Sequence, residues 1–409
     1  MAACRRAQSR NSRPTASIFS GRKVSLSSSL KILQLVHTLD PSVGGVASSV
    51  LALSREIARR DHKIDIVTLD DESYGSHTSH LSIHALGHGM TSYRYSAKLL
   101  PWLQEHGGDY DRVIVNGIWQ YLSFAAWKRY AGSDIPYYVF PHGMLDPWFK
   151  KAFPLKHLKK WIYWPWAEYR VLRDAAAVIF TTEEERRLAR KSFWLYRARE
   201  KVSPLGIEAP SIPPNAKSDF LARYPQLQNT RNFLFLGRLH PKKGCDNLLD
   251  AFARIRDRST SLILAGPDQI GWESELRRQV ARLGLNDRVV FTGMLQGAMK
   301  QGAFAAAGAF VLPSHQENFG ISVVEALAAN VPALISNRVN IWREVEDDRA
   351  GYVGSDDIEG TTRLLQQWVD TPSSERETMR QNARKCFEQR FEINHAVDSL
   401  LQILNEPTQ

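Results

Sequence analysis

The sequence predicts an α/β protein in which two parallel-sheet domains follow one another along the chain. Short apolar runs alternate with helical stretches in the first half, and the same alternation starts again after a proline-rich break. Strand, helix and strand at this spacing form βαβ units, which give parallel sheets. At about 100–200 residues per domain, 409 residues make two domains, or three. We therefore expect two Rossmann-like domains that face each other across a cleft.

The apolar runs place the individual elements. The first half is predicted to have strands at residues 31–36, 64–69, 112–115, 137–140 and 177–180. The second half is predicted to have strands at residues 233–236, 262–264, 289–291 and 309–312. Helices are predicted from the first glycine-containing turn to about residue 60 and over residues 244–257, and residues 302–313 indicate a helix end that runs into a buried strand. The break at residues 204–232 holds five prolines and is typical of a linker.

Composition excludes several classes of protein. Charged residues at 23% and aromatic residues at 10% are typical of a globular chain. Three widely spaced cysteines give neither a disulfide framework nor a zinc pattern, and no apolar run approaches the roughly 20 residues that span a bilayer. The net charge of +10 favours anionic partners. We expect residues 1–30, rich in arginine and serine, to form a disordered basic leader, with a transit peptide as the alternative.

In each half, one glycine-containing loop follows the first strand. It lies at the carboxyl end of that strand, where open parallel sheets bind their ligands. Gly44 and Gly45 open a helix and would let the backbone approach a phosphate or a sugar; a plain tight turn is the alternative. Arg238 and Lys243 lie on one short loop, and their charges suit a diphosphate; a solvated basic turn is the alternative. Neither loop has the spacing of a G-x-G-x-x-G fingerprint or a Walker A loop.

Two further loops carry titratable side chains. Glu317 lies in a loop after a strand, and Glu325 lies about one and a half turns into the helix that begins near Gly320. Free N–H groups of residues 319–322 would form an anion site, beside which a carboxylate can accept hydrogen bonds from sugar hydroxyls. The alternative is a helix-dipole partner at Glu317 and a solvated Glu325. His142 ends a first-half strand near the cleft, with a hydrogen-bonded structural histidine as the alternative.

Together these loops resemble the GT-B glycosyltransferases of the large retaining family 4. The shared motifs are the pair Gly44 and Gly45, the turn Pro141-His142-Gly143, the G-R-x-x-x-x-K element at residues 237–243, and the E-x7-E element from Glu317 to Glu325. The resemblance extends over about residues 31–405 and implies a GT-B fold, α/β, with two Rossmann-like domains. It implies an acceptor domain at residues 31–205, a donor domain at residues 206–385, and a final helix at residues 386–409 that returns to the first domain.

The resemblance also implies roles for the residues of the four loops. Arg238 and Lys243 should hold the donor diphosphate, Glu325 should bind the nucleotide ribose, Glu317 should face the donor sugar, and His142 should approach its hydroxyls. The catalytic residues implied in this way are Glu317, His142, Arg238 and Lys243. The other donor-binding positions implied are Gly44, Gly45, Asn318, Phe319, Gly320 and Glu325.

The activity that the resemblance implies is the transfer of a hexose from a nucleoside-diphosphate sugar to a glycan or lipid-linked acceptor, with retention of configuration. The block at residues 141–173 looks like family members that build bacterial exopolysaccharide or lipopolysaccharide. No cofactor and no essential metal are expected, because cationic side chains and a helix start can neutralise the leaving diphosphate. With Glu325 on the ribose, no carboxylate pair is left for double displacement, which favours attack on the same face as the leaving group.

Residues 148–173 interleave basic and aromatic side chains. A basic helix with aromatic side chains on another face can lie on anionic lipid. We therefore expect a cytoplasmic protein that can associate with the inner face of the cytoplasmic membrane. The alternative is that the aromatic side chains pack in the core and the lysines are merely solvated.

Other classes of function stay open at this point. A sugar-nucleotide epimerase, or a phosphorylase that uses inorganic phosphate, could use Arg238 and Lys243 in the same way. A non-catalytic sugar-nucleotide-binding subunit, or a basic protein that binds nucleic acid or membrane, is a further alternative. We expect no nucleic-acid partner, because the basic residues are spread along the chain and form no compact nucleic-acid motif.

Overall fold

A computed structural model of the protein describes residues 29–40 and 43–407. The predicted leader lies outside the described residues except for Ser29 and Leu30, and Pro41 and Ser42 of the first glycine-containing loop also lie outside them. The described chain forms two sheets flanked by helices. This architecture confirms the predicted α/β class.

The described residues of the first half contain eight strands. They are β1 (Lys31–Val36), β2 (Lys63–Thr68), β3 (Ser76–His77), β4 (Leu81–Ala85), β5 (Arg112–Asn116), β6 (Tyr137–Phe140), β7 (Ala177–Phe180) and β8 (Glu200–Val202). They form one sheet in the order β3-β4-β2-β1-β5-β6-β7-β8. Strand β3 is antiparallel to β4, and the other neighbours are parallel. The near-continuous burial of β1, β6 and β7 fits a parallel sheet that is covered on both faces.

The second half, as far as residue 407, contains six strands. They are β9 (Arg231–Leu236), β10 (Thr260–Ala265), β11 (Val289–Gly293), β12 (Ala307–Leu312), β13 (Ala333–Ser336) and β14 (Gly351–Gly354). They form a parallel sheet in the order β11-β10-β9-β12-β13-β14. The order reverses direction between β9 and β12, so a crevice opens at the carboxyl ends of these two strands.

The helices connect these strands. In the first half they are α1 (Gly45–Arg59), α2 (Leu99–His106), α3 (Tyr121–Tyr130), α4 (Trp148–Ala152), α5 (Pro154–Tyr163), α6 (Glu168–Asp174) and α7 (Glu183–Ala189). In the second half they are α8 (Ala216–Arg223), α9 (Cys245–Ala253), α10 (Glu273–Arg282), α11 (Gly297–Ala306), α12 (Ile321–Ala328), α13 (Trp342–Asp347), α14 (Ile358–Asp370), α15 (Ser373–Cys386) and α16 (Ile393–Leu404). Phe387–Phe391, between the last two, is a π-helical turn.

The nine predicted strands are all present, with ends within two residues of those expected. The helix predicted over residues 244–257 is too long, because the chain turns after Ala253 and buries Ile255. The predicted linker is also too long. Four of its five prolines precede helix α8, which buries Phe220 and packs against α11 of the second half, and Pro225 follows this helix.

The last helix of the described chain packs against the first. Helix α16 contacts α1, and Arg60 at the end of α1 pairs with Asp398 and donates a hydrogen bond to Asn394 Oδ1 at 2.8 Å. The chain that leaves the first sheet runs beside this segment, with Ile207 bridged to Glu392. Within the described residues, no helix has the length and apolar character needed to span a membrane.

Candidate active site

The carboxyl edges of the two sheets face each other, and polar side chains join them. Gln316 Nε2 donates to Asp146 Oδ2 at 3.0 Å, and Arg343 pairs with Glu184 at 3.0 Å. In each pair, one residue follows strands of the second sheet and its partner follows strands of the first. The loops singled out in the sequence therefore lie between the sheets.

The N-termini of helices α1 and α12 meet at this junction. Among the residues that the structure describes, neither helix has a side-chain cap or an acidic residue in its first turn. A Cβ atom placed on Gly45 would lie 3.2 Å from Cγ1 of Ile321, so the two helix starts are in close contact. Their free N–H groups and positive dipole ends create a setting for an anion.

The basic loop at residues 237–244 reaches the loop that carries Glu317. It forms a 3₁₀ turn over Pro241–Lys243, in which His240 Nδ1 accepts a hydrogen bond from the Lys242 backbone N–H at 3.1 Å. The turn ends at Gly244 with φ of 69°, where a Cβ atom would lie only 2.4 Å from the carbonyl oxygen of Pro313. Only glycine fits this close approach, and it places the Lys243 ammonium against the Glu317 carboxylate.

Glu317 is ionised at this position. Burial opposes its ionisation, but the charges of Lys243, Lys242 and Arg238 outweigh burial and hold the pKa of the carboxyl below its ordinary value. Its backbone is fixed as well, since Glu317 N–H donates to Arg338 O at 3.0 Å. The structure thus brings Arg238, Lys243 and Glu317 together.

Lys242 is a cation of this cluster that the sequence analysis did not single out. Its ammonium lies 5.8 Å from the ring centre of Trp148 and 5.7 Å from that of Phe149, both on helix α4 of the first half. Burial lowers the pKa of Lys242. Arg238 is exposed at the rim and donates to Gln269 Oε1 at 3.3 Å. The signal for Lys242 was its place beside Lys243, but two adjacent lysines do not reveal which one packs on an aromatic surface.

Glu325 lies on helix α12 and has a separate partner. Lys300 Nζ of helix α11 donates to Glu325 Oε1 at 2.6 Å, which leaves Oε2 available to a ligand. Both side chains are half-buried. The sequence analysis missed Lys300, because it lies 25 residues before Glu325 and its position depends on how two helices pack.

His142 is buried at the end of β6 with a left-handed backbone, φ of 49°. Its Nε2 lies 3.0 Å from Asn116 Oδ1, whereas its Nδ1 is buried without a hydrogen-bond partner among the described residues. Burial lowers the pKa of His142 to about 4, so the imidazole is neutral at physiological pH. If Nε2 donates to Asn116, Nδ1 is a free acceptor for a ligand hydroxyl.

Gly143 and Asn318 pack tightly against each other across the junction. Gly143 has φ of 77°, and a Cβ atom there would lie 2.7 Å from Cβ of Asn318. Asn318 Nδ2 donates to Thr181 Oγ1 at 3.0 Å, and Gly143 N–H donates to Glu185 Oε1 at 2.6 Å. The Asn318 side chain thus binds the opposite half of the protein.

The remaining donor-binding positions are the backbone of residues 319–320 and the loop before α1. The ring of Phe319 is buried edge-on against Phe391 at 5.6 Å, so any ligand contact falls to its backbone. Gly320 has φ of 75° and starts helix α12. Gly44 precedes helix α1 with a different, more extended backbone, φ of 150° and ψ of −179°.

Two family models match the chain, one in each half. The glycosyl transferase 4-like domain matches residues 44–206, and the glycosyl transferases group 1 family matches residues 219–386. Together they include the loops of both halves that meet at the junction.

Curated relatives and a solved structure are similar to the chain. The D-inositol 3-phosphate glycosyltransferase of Streptomyces avermitilis is 29% identical over 54% of this chain and 50% of its own length. The chain spans about half the length of this relative and of two others that share its name. The O-antigen chain mannosyltransferase C of Escherichia coli is 25% identical over 91% of this chain and 98% of its own.

Anabaena HepE, solved in complex with UDP and glucose, matches with a TM-score of 0.74 and 21% identity, over 92% of this chain and 99% of that chain. This likeness confirms the predicted GT-B fold. Since the family models account for both halves and for the loops that join them, the chain belongs to the group 1 glycosyl transferases.

Proposed function

We propose that the protein transfers a hexose from a nucleoside-diphosphate sugar to a glycan or lipid-linked acceptor in the synthesis of a surface glycan or glycolipid. The observation that carries the proposal is the junction of two uncapped helix starts beside Arg238, Lys242 and Lys243. Such a junction suits a leaving diphosphate. The names of the relatives support it, since they include a mannosyltransferase of O-antigen and an alpha-monoglucosyldiacylglycerol synthase.

We propose that the second half binds the donor and the first half binds the acceptor, with the boundary at about residue 205. Arg238 and Lys243 hold the diphosphate, Oε2 of Glu325 accepts from the ribose, and Nδ1 of His142 accepts from a hydroxyl of the donor sugar. The free acceptor atoms of Glu325 and His142 support these roles. Asn318 and Gly143 close the two halves and exclude water, which limits hydrolysis of the donor.

We propose retention of configuration by attack on the same face as the leaving group. The bond from the anomeric carbon to the phosphate oxygen breaks, the acceptor oxygen bonds to that carbon, and the leaving phosphate oxygen takes the acceptor proton. The pairing of Glu317 with Lys243 supports this route, because a carboxylate held by an ammonium is a weak nucleophile. We also propose that the reaction needs no metal, since three cationic side chains lie beside the same junction.

The function is tested with a panel of UDP-, GDP- and ADP-sugars and a glycan extract, with the anomeric proton of the product followed by NMR. We expect slow hydrolysis of one donor and faster turnover when the acceptor is present. The new glycosidic bond should have the same anomeric configuration as the sugar in the donor, and the rates should not change in EDTA. Inversion would contradict the proposed stereochemistry. Cleavage of a disaccharide by inorganic phosphate, with no nucleotide requirement, would instead identify a phosphorylase.

Helix α5 and the turn that follows it present an apolar face to solvent. The side chains of Leu155, Ile162 and Trp166 are 82%, 62% and 70% exposed, whereas Trp164 is buried. The aromatic residues of this block are thus divided between core and surface. The exposed lysines Lys156 and Lys159 lie on the same helix. We propose that this face docks on an anionic membrane, to which apolar side chains and lysines bind together.

The docking is tested by flotation with vesicles of phosphatidylcholine, with and without phosphatidylglycerol. We expect the parent protein to float with the anionic vesicles only, and Leu155→Glu or Ile162→Glu to weaken binding by about tenfold or more. Ile212→Glu, which changes an exposed apolar residue of the linker, is the matched control and should float normally. Equal flotation of all four proteins would contradict a role for the α5 face.

A further inference from the structure

A loop of the first half, residues 86–98, covers the carboxyl edge of the first sheet; we call it the edge loop. Gly87 N–H donates to Asp70 O at 3.0 Å, which ties its start to the end of β2. Tyr121 N–H donates to Tyr93 O at 2.8 Å, which ties its far part to the start of α3. Because parallel strands end at one edge, the edge loop lies on the side of the sheet that faces the junction.

The edge loop holds Arg94 in an unusual backbone conformation. Met90 and Tyr95 exchange backbone hydrogen bonds of 2.7 and 3.0 Å, and within this turn Arg94 has φ of 57°. Gly89 packs so closely on it that a Cβ atom would lie 2.8 Å from the Arg94 carbonyl. A left-handed conformation costs about 1–2 kcal/mol for a residue other than glycine, so the packing of the edge loop must hold Arg94 in place.

The guanidinium of Arg94 is half-buried and forms no ion pair or hydrogen bond within the part of the chain that the structure describes. Lys98, on the same loop, is paired with Glu72 at 2.6 Å. A charged group that has lost part of its hydration without gaining a partner is unfavourable unless a ligand completes it. Arg94 therefore differs from the ordinary surface cations of this protein.

The nearby carboxylate does not neutralise Arg94. Asp70 is buried and already accepts hydrogen bonds from Thr38 Oγ1, from Leu39 N–H at 2.7 Å and from Thr68 Oγ1 at 2.7 Å. These bonds fix the chain that leads from β1 toward helix α1. The carboxylate of Asp70 thus stabilises the chain at the same edge of the sheet and does not pair with Arg94.

A neutral histidine lies near Arg94, and an aromatic residue follows it along the chain. Burial and the charge of Arg94 lower the pKa of His37, which directly follows β1, so its imidazole is neutral at physiological pH. The exposed ring of Tyr95 lies 4.8 Å from the ring of Tyr121, at the start of α3. An uncompensated arginine that is followed along the chain by an exposed tyrosine is a setting for a sugar that carries a negative charge.

We propose that Arg94 binds an anionic group, a phosphate or a carboxylate, carried by the acceptor, and that Tyr95 and Tyr121 contact the adjoining sugar. The proposal rests on the proposed sugar transfer and narrows its acceptor to an anionic one. The planar guanidinium can hold two oxygens of either group at once. The loop geometry presents it at the edge of the first sheet, next to the chain that leads to Gly44 and Gly45.

The test measures binding by calorimetry after the diphosphate site has been filled with whichever of UDP, GDP or ADP binds. The probes are glucose 6-phosphate and glucuronate, with glucose as the neutral match. We expect one of the two anions to bind at least about tenfold more tightly than glucose, and Arg94→Gln to abolish that preference. The anion that binds more tightly shows whether the acceptor carries phosphate or carboxylate. Lys98→Gln, which removes a charge from the same loop, should keep the preference.

A second variant separates binding from folding. Arg94→Gly relieves the left-handed backbone, so its melting temperature should equal or exceed that of the parent while its anion preference is lost. Equal binding of glucose and both anions by the parent, or a preference that survives in Arg94→Gln, would overturn the inference. Absence of nucleotide binding and of donor hydrolysis in the parent would instead refute the proposed function.

Discussion

Replacement of Lys243 by methionine is expected to lower kcat by about 10²–10³. The ammonium of Lys243 lies beside Glu317 at the junction of the two helix starts, where the negative charge of the leaving diphosphate would develop. Methionine keeps the length of the side chain and removes the charge. The measurement is steady-state turnover with the donor identified in the panel.

The matched control is Lys217→Met, which removes an exposed lysine of helix α8 in the same half. It should turn over at the parent rate. Both variants should unfold cooperatively, which shows that the loss of rate is not a loss of fold. Near-normal turnover of the folded Lys243→Met protein would remove the diphosphate role from this residue.

Gly143→Ala is expected to lower kcat by about 10²-fold without unfolding either half, because a small misplacement of reacting groups has an effect of this size. The new Cβ atom would lie 2.7 Å from Cβ of Asn318, so the two halves must move apart. The displacement would separate the helix starts that the proposed mechanism needs together.

Gly132→Ala provides a close control for the backbone effect. Gly132 has φ of 75°, nearly that of Gly143, but a Cβ atom there meets nothing within 4 Å. Both substitutions cost about 1–2 kcal/mol of conformational energy. If both variants lose the same fraction of turnover, backbone strain explains the loss and closure of the halves does not.

The fold was predictable wherever a strand is apolar throughout. Strands such as β6 and β7 are buried along their whole length, so a run of four consecutive apolar residues predicts where each of them lies. Strand β4 was missed because it is only half-buried and contains Ser82 and His84. Strand β13 was missed because only its first three residues are apolar and Ser336 ends it.

The site was predictable as a set of loops but not as a set of contacts. The position of Lys243 after a strand end showed that it would lie near the second-half loops. The sequence alone did not show that Gly244 turns Lys243 toward Glu317 and leaves Lys242 on the aromatic rings of α4. These contacts depend on the packing of loops that are distant along the chain.

For the same reason, the sequence did not reveal which residues bind the side chains of His142 and Glu325. Asn116 reaches His142 because β5 and β6 are neighbours in the sheet, an order that strand spacing does not give. Lys300 reaches Glu325 because α11 and α12 flank β12. The sequence motifs therefore predicted the site residues themselves, whereas only the tertiary structure showed which side chains orient them.

The most direct test of the central claim is a crystal structure of the protein with the nucleoside diphosphate that binds it. We expect the diphosphate oxygens within hydrogen-bond distance of Lys243, Arg238 and the N–H groups at the start of α12, and the ribose hydroxyls at Glu325. A nucleotide bound elsewhere, with Lys243 still held only by Glu317, would contradict the assignment of this junction as the donor site.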